Sequence, residues 1–113
     1  MNVRCGSRTV CRRALRATAF LDRLLGLQFR LRFPPSMDGI LFPGCRAVHT
    51  FFTFARPDVL FLDVRGRVMA LYGDVPPWRV LTGPVGSTAT LELPGGTARR
   101  TRLRVGSLLR SKG

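Results

Sequence analysis

Residues 48–63, VHTFFTFARPDVLFLD, contain two β-rich runs on either side of a break at Ala55–Pro57. The first run holds the only histidine, His49, in a cluster of aromatic residues. Proline has no backbone N–H to donate to a β ladder, so Pro57 ends the first strand. The second run, Val59–Leu62, is continuously apolar, which indicates a strand covered on both faces. The stretch therefore predicts two strands of a layered β fold.

The segments on the C-terminal side continue the β pattern. Arg65-Gly66 marks the turn of a hairpin after the apolar run. Thr97 can begin a short helical turn that runs to Arg102. Further short strands are predicted over residues 67–72, 78–81, 88–93 and 103–109. A spacing of ~8–12 residues between short strands favours a small, mainly β domain, a sandwich or a barrel.

The N-terminal part is divided into a lead-in and a helix. Residues 1–15 are basic and predict a poorly ordered segment, either frayed or strand-like. Apolar residues then recur at helical intervals between Thr18 and Gly26, which predicts one short helix. We expect a single β domain over residues 16–110 and a tail over residues 111–113.

The composition is strongly basic, with a net charge of +13. Of the 19 basic residues, Lys112 is the only lysine, and this arginine skew is typical of a GC-rich genome. Codon usage does not explain why acidic residues are so few. Arginine can bind nucleic acid by displacing counterions from phosphates. The arginines are nevertheless scattered along the chain, so a solvated basic face is favoured over a nucleic-acid surface.

The three cysteines, Cys5, Cys11 and Cys45, form no C-x-x-C pair and match no zinc-ligand spacing. We therefore expect reduced thiols, no metal and no cofactor. The N-terminus lacks the apolar core of a signal peptide, because Asp22 and Arg23 interrupt it. No run approaches the ~18 apolar residues that span a bilayer. These features favour a soluble, cytoplasmic protein.

His49 and Asp58 are the candidate pair for chemistry, because they should lie on neighbouring strands. If the break turns the chain back, Asp58 could accept from the imidazole and make His49 a general base. Under the alternative that we favour, His49 bonds to backbone at a strand end and Asp58 caps the turn after Pro57. No nucleophile assembly, G-x-S-x-G motif or phosphate loop is present.

Other polar and aromatic residues gather near predicted loops. Trp78 and Arg79 follow two prolines and form either a stacking platform or, more commonly for such a tryptophan, a lid on the core. Glu92 interrupts an apolar strand, so it either faces solvent or needs a partner such as Arg79 or Arg30. The candidate binding surface combines Arg30, His49, Asp58, Trp78 and Arg79.

Short motifs in a fixed order resemble the bacterial and archaeal family called domain of unknown function 192, an ancient conserved region. The motifs, over about residues 16–110, are RLLGLQFR (23–30), DGILF (38–42), CRAVHTFF (45–52), DVLFLDVRGRV (58–68), PPWRV (76–80), LELPGGTA (91–98) and RVGSLL (104–109). The resemblance implies a compact, β-sandwich-like domain with a short helix. It implies no enzyme class, because the activity of the family is not established.

The chain departs from the family pattern at three places. Thr53 replaces a usual methionine, Arg56-Pro57-Asp58 brings proline next to the aspartate, and Ser107 stands where relatives commonly have aspartate. The second departure bears directly on whether His49 and Asp58 meet.

The leading functional hypothesis is a non-catalytic module that binds an unidentified small molecule or protein. Arginine-driven nucleic-acid binding is the first alternative, and a hydrolase or lyase that uses His49 and Asp58 is the second.

Overall fold

A computed structural model describes residues 1–17, 33, 36–51 and 53–112 of the chain. The short helix predicted between Thr18 and Gly26 lies outside these residues. Within them, no helix is long and apolar enough to cross a membrane. The described elements are β1 (Asn2–Cys5), β2 (Arg8–Cys11), β3 (Ala14–Arg16), β4 (Gly39–Pro43), β5 (Ala47–His49), β6 (Asp58–Leu62), β7 (Val68–Tyr72), β8 (Val80–Thr82), β9 (Ala89–Leu93), α1 (Thr97–Arg100) and β10 (Arg110–Lys112).

A five-stranded sheet with the order β3-β4-β9-β6-β7 forms the middle of the fold. Its strands pair antiparallel except for β3 and β4, which are parallel. Every residue of β6 is buried, as the continuous apolar run predicts. Because side chains alternate along a strand, Leu60 and Leu62 face one side of the sheet while Val59 and Phe61 face the other.

Each face of the central sheet is covered by a smaller sheet. Leu60 and Leu62 pack with Val3 and Val10 of a three-stranded sheet whose order is β10-β1-β2. Val59 and Phe61 form a second cluster, against which the two-stranded ribbon of β5 and β8 packs. The mainly β, layered architecture and the short helical turn near residues 97–102 are therefore confirmed.

Both chain ends take part in the sheets. Residues 1–15, predicted as a frayed or strand-like lead-in, form β1 and β2 and the beginning of β3, so the strand-like alternative is the one observed. Ser111 and Lys112, predicted as part of a tail, pair with β1 as part of β10. The strand expected to begin at Trp78 begins at Val80 instead.

The turn of the β6–β7 hairpin depends on Asp63 and Gly66. The Asp63 carboxylate accepts N–H bonds from Arg65 and Arg67 at 2.8 and 2.9 Å, and these bonds lower its pKa. Gly66 has a φ of +89°, and a Cβ there would lie 2.4 Å from the carbonyl oxygen of Leu109. A side chain at position 66 would therefore push the C-terminal strand away from the hairpin.

Glu92 is a buried carboxyl group in the central sheet. It is 5% exposed, and its neighbours across the ladder are Ile40 and Val59. No described residue forms a hydrogen bond or ion pair with it; Arg79, one suggested partner, is exposed, and Arg30 lies outside the described residues. Burial raises the pKa of Glu92 to about 7, because the charged form loses its hydration.

Glu92→Gln should remove a pH-dependent loss of stability. In the folded protein Glu92 holds its proton up to about pH 7, whereas its ordinary pKa is 4.5, so its contribution to stability falls as the pH rises between these values. We expect the free energy of unfolding of wild type, relative to Glu92→Gln, to fall by about 2 to 3 kcal/mol between pH 5 and pH 8. Urea unfolding at the two pH values measures this difference. Parallel pH profiles for the two proteins would show that Glu92 is not buried as described.

Candidate functional site

Asp58 is a structural clamp at the start of β6. Its side chain is buried, and Oδ1 accepts N–H bonds from Asp74 at 2.8 Å and Gly96 at 3.2 Å, while Oδ2 accepts one from Ala98 at 2.8 Å. The carboxylate thus holds the chain after β7 and the beginning of α1 against the edge of the core. A cap on the turn after Pro57 was predicted; the segments that Asp58 caps are instead distant in sequence.

His49 lies at the end of β5 and is exposed. Its Nδ1 accepts an N–H bond from Phe51 at 3.3 Å, so the interpretation of a strand-end histidine that bonds to backbone agrees with the geometry. Among the described residues, no hydrogen bond joins His49 to Asp58, whose oxygens are occupied by backbone N–H groups. The structure therefore does not assemble the acid–base pair.

Aromatic side chains form an exposed stripe at one end of the β5–β8 ribbon. The ring of Phe51 contacts that of His49, with centroids 5.0 Å apart, and that of Trp78, with centroids 5.7 Å apart. Val80, which pairs with His49 across the ribbon, is also exposed. We call these four residues the aromatic stripe. Trp78 is 53% exposed, so it is not the core lid that a tryptophan after two prolines commonly forms.

Thr50 holds the loop that carries Trp78. Its buried hydroxyl donates to the carbonyl of Pro76 at 2.7 Å and accepts from the N–H of Arg79 at 2.9 Å. Its own carbonyl accepts from the N–H of Trp78 at 3.1 Å. These bonds support a left-handed backbone at Trp78, with φ of 68°. The sequence analysis did not identify this role of Thr50. The one available indication was a hydroxyl side chain within a run of aromatic residues.

The predicted binding residues are only partly brought together. His49 and Trp78 belong to the aromatic stripe, and Arg79 follows it with an exposed guanidinium whose Nη1 lies 3.4 Å from the carbonyl oxygen of Pro77. Asp58 is buried and bonds to backbone N–H groups, so it is not part of this surface. Arg30 lies outside the described residues.

Acidic side chains contribute little to the surface. Asp38 accepts the N–H bonds of Arg12 and Arg13, Asp58 and Asp63 also cap backbone, and Glu92 is buried. In the described part of the chain the only ion pair is Arg56–Asp74, at 3.7 Å. Every described arginine is exposed. Among the described residues, exposed arginines therefore far outnumber exposed carboxylates.

The cysteines offer no evident reactive site. Cys11 is buried, and burial raises the pKa of its thiol to about 12, which keeps the sulfur protonated and unreactive. Within the residues that the structure describes, no group of three His, Cys, Asp or Glu side chains is placed to hold a metal ion.

Asp58→Asn should destabilise the fold strongly. An amide side chain offers one acceptor oxygen where the carboxylate receives three N–H bonds, and its own NH₂ would face a donor. We expect a loss of about 3 kcal/mol in the free energy of unfolding, measured by urea denaturation. Asp74→Asn is the matched control, because it removes an exposed carboxylate and should cost about 0.5 kcal/mol or less. Similar losses in the two variants would show that Asp58 is not the clamp.

Two solved structures resemble the chain in fold. A protein of unknown function from Novosphingobium aromaticivorans is 23% identical with a TM-score of 0.80, and the match covers 97% of this chain and 82% of that one. A protein from Sinorhizobium meliloti, named a "putative transcription regulator", is 24% identical with a TM-score of 0.80, and the match covers 96% of this chain and 91% of that one. At these identities the similarity shows the fold alone.

A comparison with curated proteins found no match. A sequence profile of DUF192, described as uncharacterized ACR, matches residues 4–111. The match takes in the N-terminal strands as well as the motifs from residue 16 onward, so the family predicted from the sequence is confirmed. The protein belongs to the DUF192 family.

Proposed function

We propose that the protein is a non-catalytic binding module whose contact surface is the aromatic stripe with Arg79 beside it. The observation that carries this proposal is the contact of three exposed rings, those of His49, Phe51 and Trp78, at the end of the β5–β8 ribbon. Adjacent exposed rings offer flat apolar area to a partner, and clustered exposed apolar groups are typical of interaction sites. The hydrogen bonds of Thr50 support this function by holding Trp78 in place before a partner arrives.

The partner that best fits the surface is a single-stranded nucleic acid. Aromatic side chains stack on bases of any sequence, while arginines attract the phosphates between them. The sequence alone did not favour this partner, because the arginines are scattered and Trp78 could have been buried. The exposed stripe and the internal use of carboxylates favour it. The name of the Sinorhizobium meliloti protein is a further reason to test nucleic acid first.

Two features support binding rather than catalysis. The oxygens of Asp58 already accept three backbone N–H bonds, so this carboxylate is not free to orient His49. His49 itself is exposed, and its Nδ1 already accepts the N–H bond of Phe51. A hydrolase or lyase that uses His49 and Asp58 would need a hydrogen bond between them, and these contacts do not support one.

Titration with a twenty-nucleotide oligo(dT) tests the proposal. Trp78 is the only tryptophan, so quenching of intrinsic fluorescence reports stacking at the stripe. We expect quenching that saturates, and an affinity that falls about tenfold or more when salt rises from 50 to 200 mM. Quenching by a neutral oligosaccharide in place of oligo(dT) would keep the stripe as the binding surface but exclude nucleic acid as its partner. Quenching by neither would overturn the proposal.

Phe51→Ala and Phe54→Ala form a matched pair for the same titration. Both phenylalanines are 38% exposed, but only Phe51 contacts Trp78 and His49. Loss of a stacking ring should weaken oligo(dT) binding by about tenfold in Phe51→Ala, whereas Phe54→Ala should bind as wild type does. Equal effects in the two variants would mean that the ring contacts are irrelevant to binding.

A further inference from the structure

A second potential site lies on the opposite side of the central sheet. There an open pocket of about 490 Å³ is lined by residues of the three-stranded sheet, the five-stranded sheet and the β6–β7 turn. This volume is within the range of pockets that hold small molecules, about 300–1,000 Å³. The aromatic stripe cannot contribute to this pocket, because the β5–β8 ribbon packs on Val59 and Phe61, on the other face.

The walls of the pocket are continuous with the main hydrophobic core. Val3 and Leu109 line it from the N- and C-terminal strands, while Leu62 and Leu91 line it from the central sheet. All four belong to one buried cluster. An apolar group that enters the opening would therefore contact side chains already packed in the core, and its removal from water would favour binding.

The rim of the pocket is cationic. Arg16 on β3, Arg65 in the hairpin turn and Arg110 on β10 all line it, and all three are exposed. None of these guanidinium groups forms an ion pair with a described residue. The acidic residue at the rim, Asp63, already accepts two backbone N–H bonds. The Asp63 carboxylate also interacts electrostatically with Arg65, whereas Arg16 and Arg110 form no ion pair with any described carboxylate. An anion at the rim would therefore meet two guanidinium groups whose charge no described carboxylate balances.

The register of the strands explains why charge and apolar wall meet here. Arg16 pairs with Leu41 across β3 and β4, and Leu41 pairs with Leu91 across β4 and β9. Paired residues on adjacent strands project from the same face of a sheet. Arg16 therefore ends a row of leucines on the face that lines the pocket.

We propose that this pocket binds an amphiphilic carboxylate, with the anionic head between Arg16 and Arg110 and the apolar chain against the leucines. The chemistry of the site specifies both halves of the ligand. A small inorganic anion would leave the leucine wall without a partner, and a neutral hydrocarbon would leave the guanidinium groups without one. The fit is to a free medium-chain fatty acid.

Octanoate, octanol and acetate are the probes that test the anionic head and the apolar chain separately. We expect saturable binding of octanoate by calorimetry, with chemical-shift changes in the methyl groups of Val3, Leu62, Leu91 and Leu109 in the NMR spectrum. Octanol lacks the charge and acetate lacks the chain, so each should bind at least tenfold more weakly. Equal binding of octanoate and octanol would overturn the role of the arginines. Equal binding of octanoate and acetate would overturn the role of the leucine wall.

Arg16→Gln and Arg110→Gln test the rim, with Arg99→Gln as the matched control. Each rim variant should weaken octanoate binding by about tenfold, because a charge-assisted bond to the carboxylate is lost. Arg99 is also exposed but lies on α1 and does not line the pocket, so its replacement should leave binding unchanged. Octanoate affinity that is unaffected by both rim variants would overturn the proposal. Phe51→Ala should leave octanoate binding unchanged, so the test of the pocket is independent of the proposed function of the aromatic stripe.

Discussion

The Asp58 carboxylate sets the arrangement at one end of the fold, because a buried negative charge must receive hydrogen bonds to be tolerated. Three backbone N–H groups donate to the Asp58 carboxylate. They come from the residues after β7, from the turn before α1 and from α1 itself. The same bonds keep Asp58 from any role at the surface. The Asp58 carboxylate is therefore part of the interior and not of the surface that carries the aromatic rings.

Sequence patterns predicted the strands correctly where burial follows local periodicity. The run Val59–Leu62 and the Arg65-Gly66 turn predicted the β6–β7 hairpin, because an uninterrupted apolar strand and a glycine turn leave few alternatives. The strands near the N-terminus were harder to predict. In β1 only Val3 is buried, so an Arg-rich segment with one buried residue resembles a frayed end until its pairing partners β2 and β10 are known.

The candidate site was predicted less well, because its geometry depends on contacts distant in sequence. The exposure of Trp78 follows from the hydrogen bonds of Thr50, which lies 28 positions earlier in the chain. Asp58 was predicted to cap a local turn because Pro57 precedes it, yet its donors lie beyond β7 and β9. Glu92 was expected to need an arginine if buried; a carboxyl group that keeps its proton satisfies the same physical requirement without a counter-charge.

The clamp at Asp58 also has a consequence for the order of folding. Its donors are 16, 38 and 40 residues away, so the bonds close only after β7 has turned back and β9 has paired with β6. Closing loops of this length has an entropic cost that local pairing does not. We infer that the hairpin forms early and that the clamp closes in a late step of folding. The amides of Asp74, Gly96 and Ala98 would then share one opening event in native-state hydrogen exchange, although β8 and β9 lie between Asp74 and Gly96 along the chain.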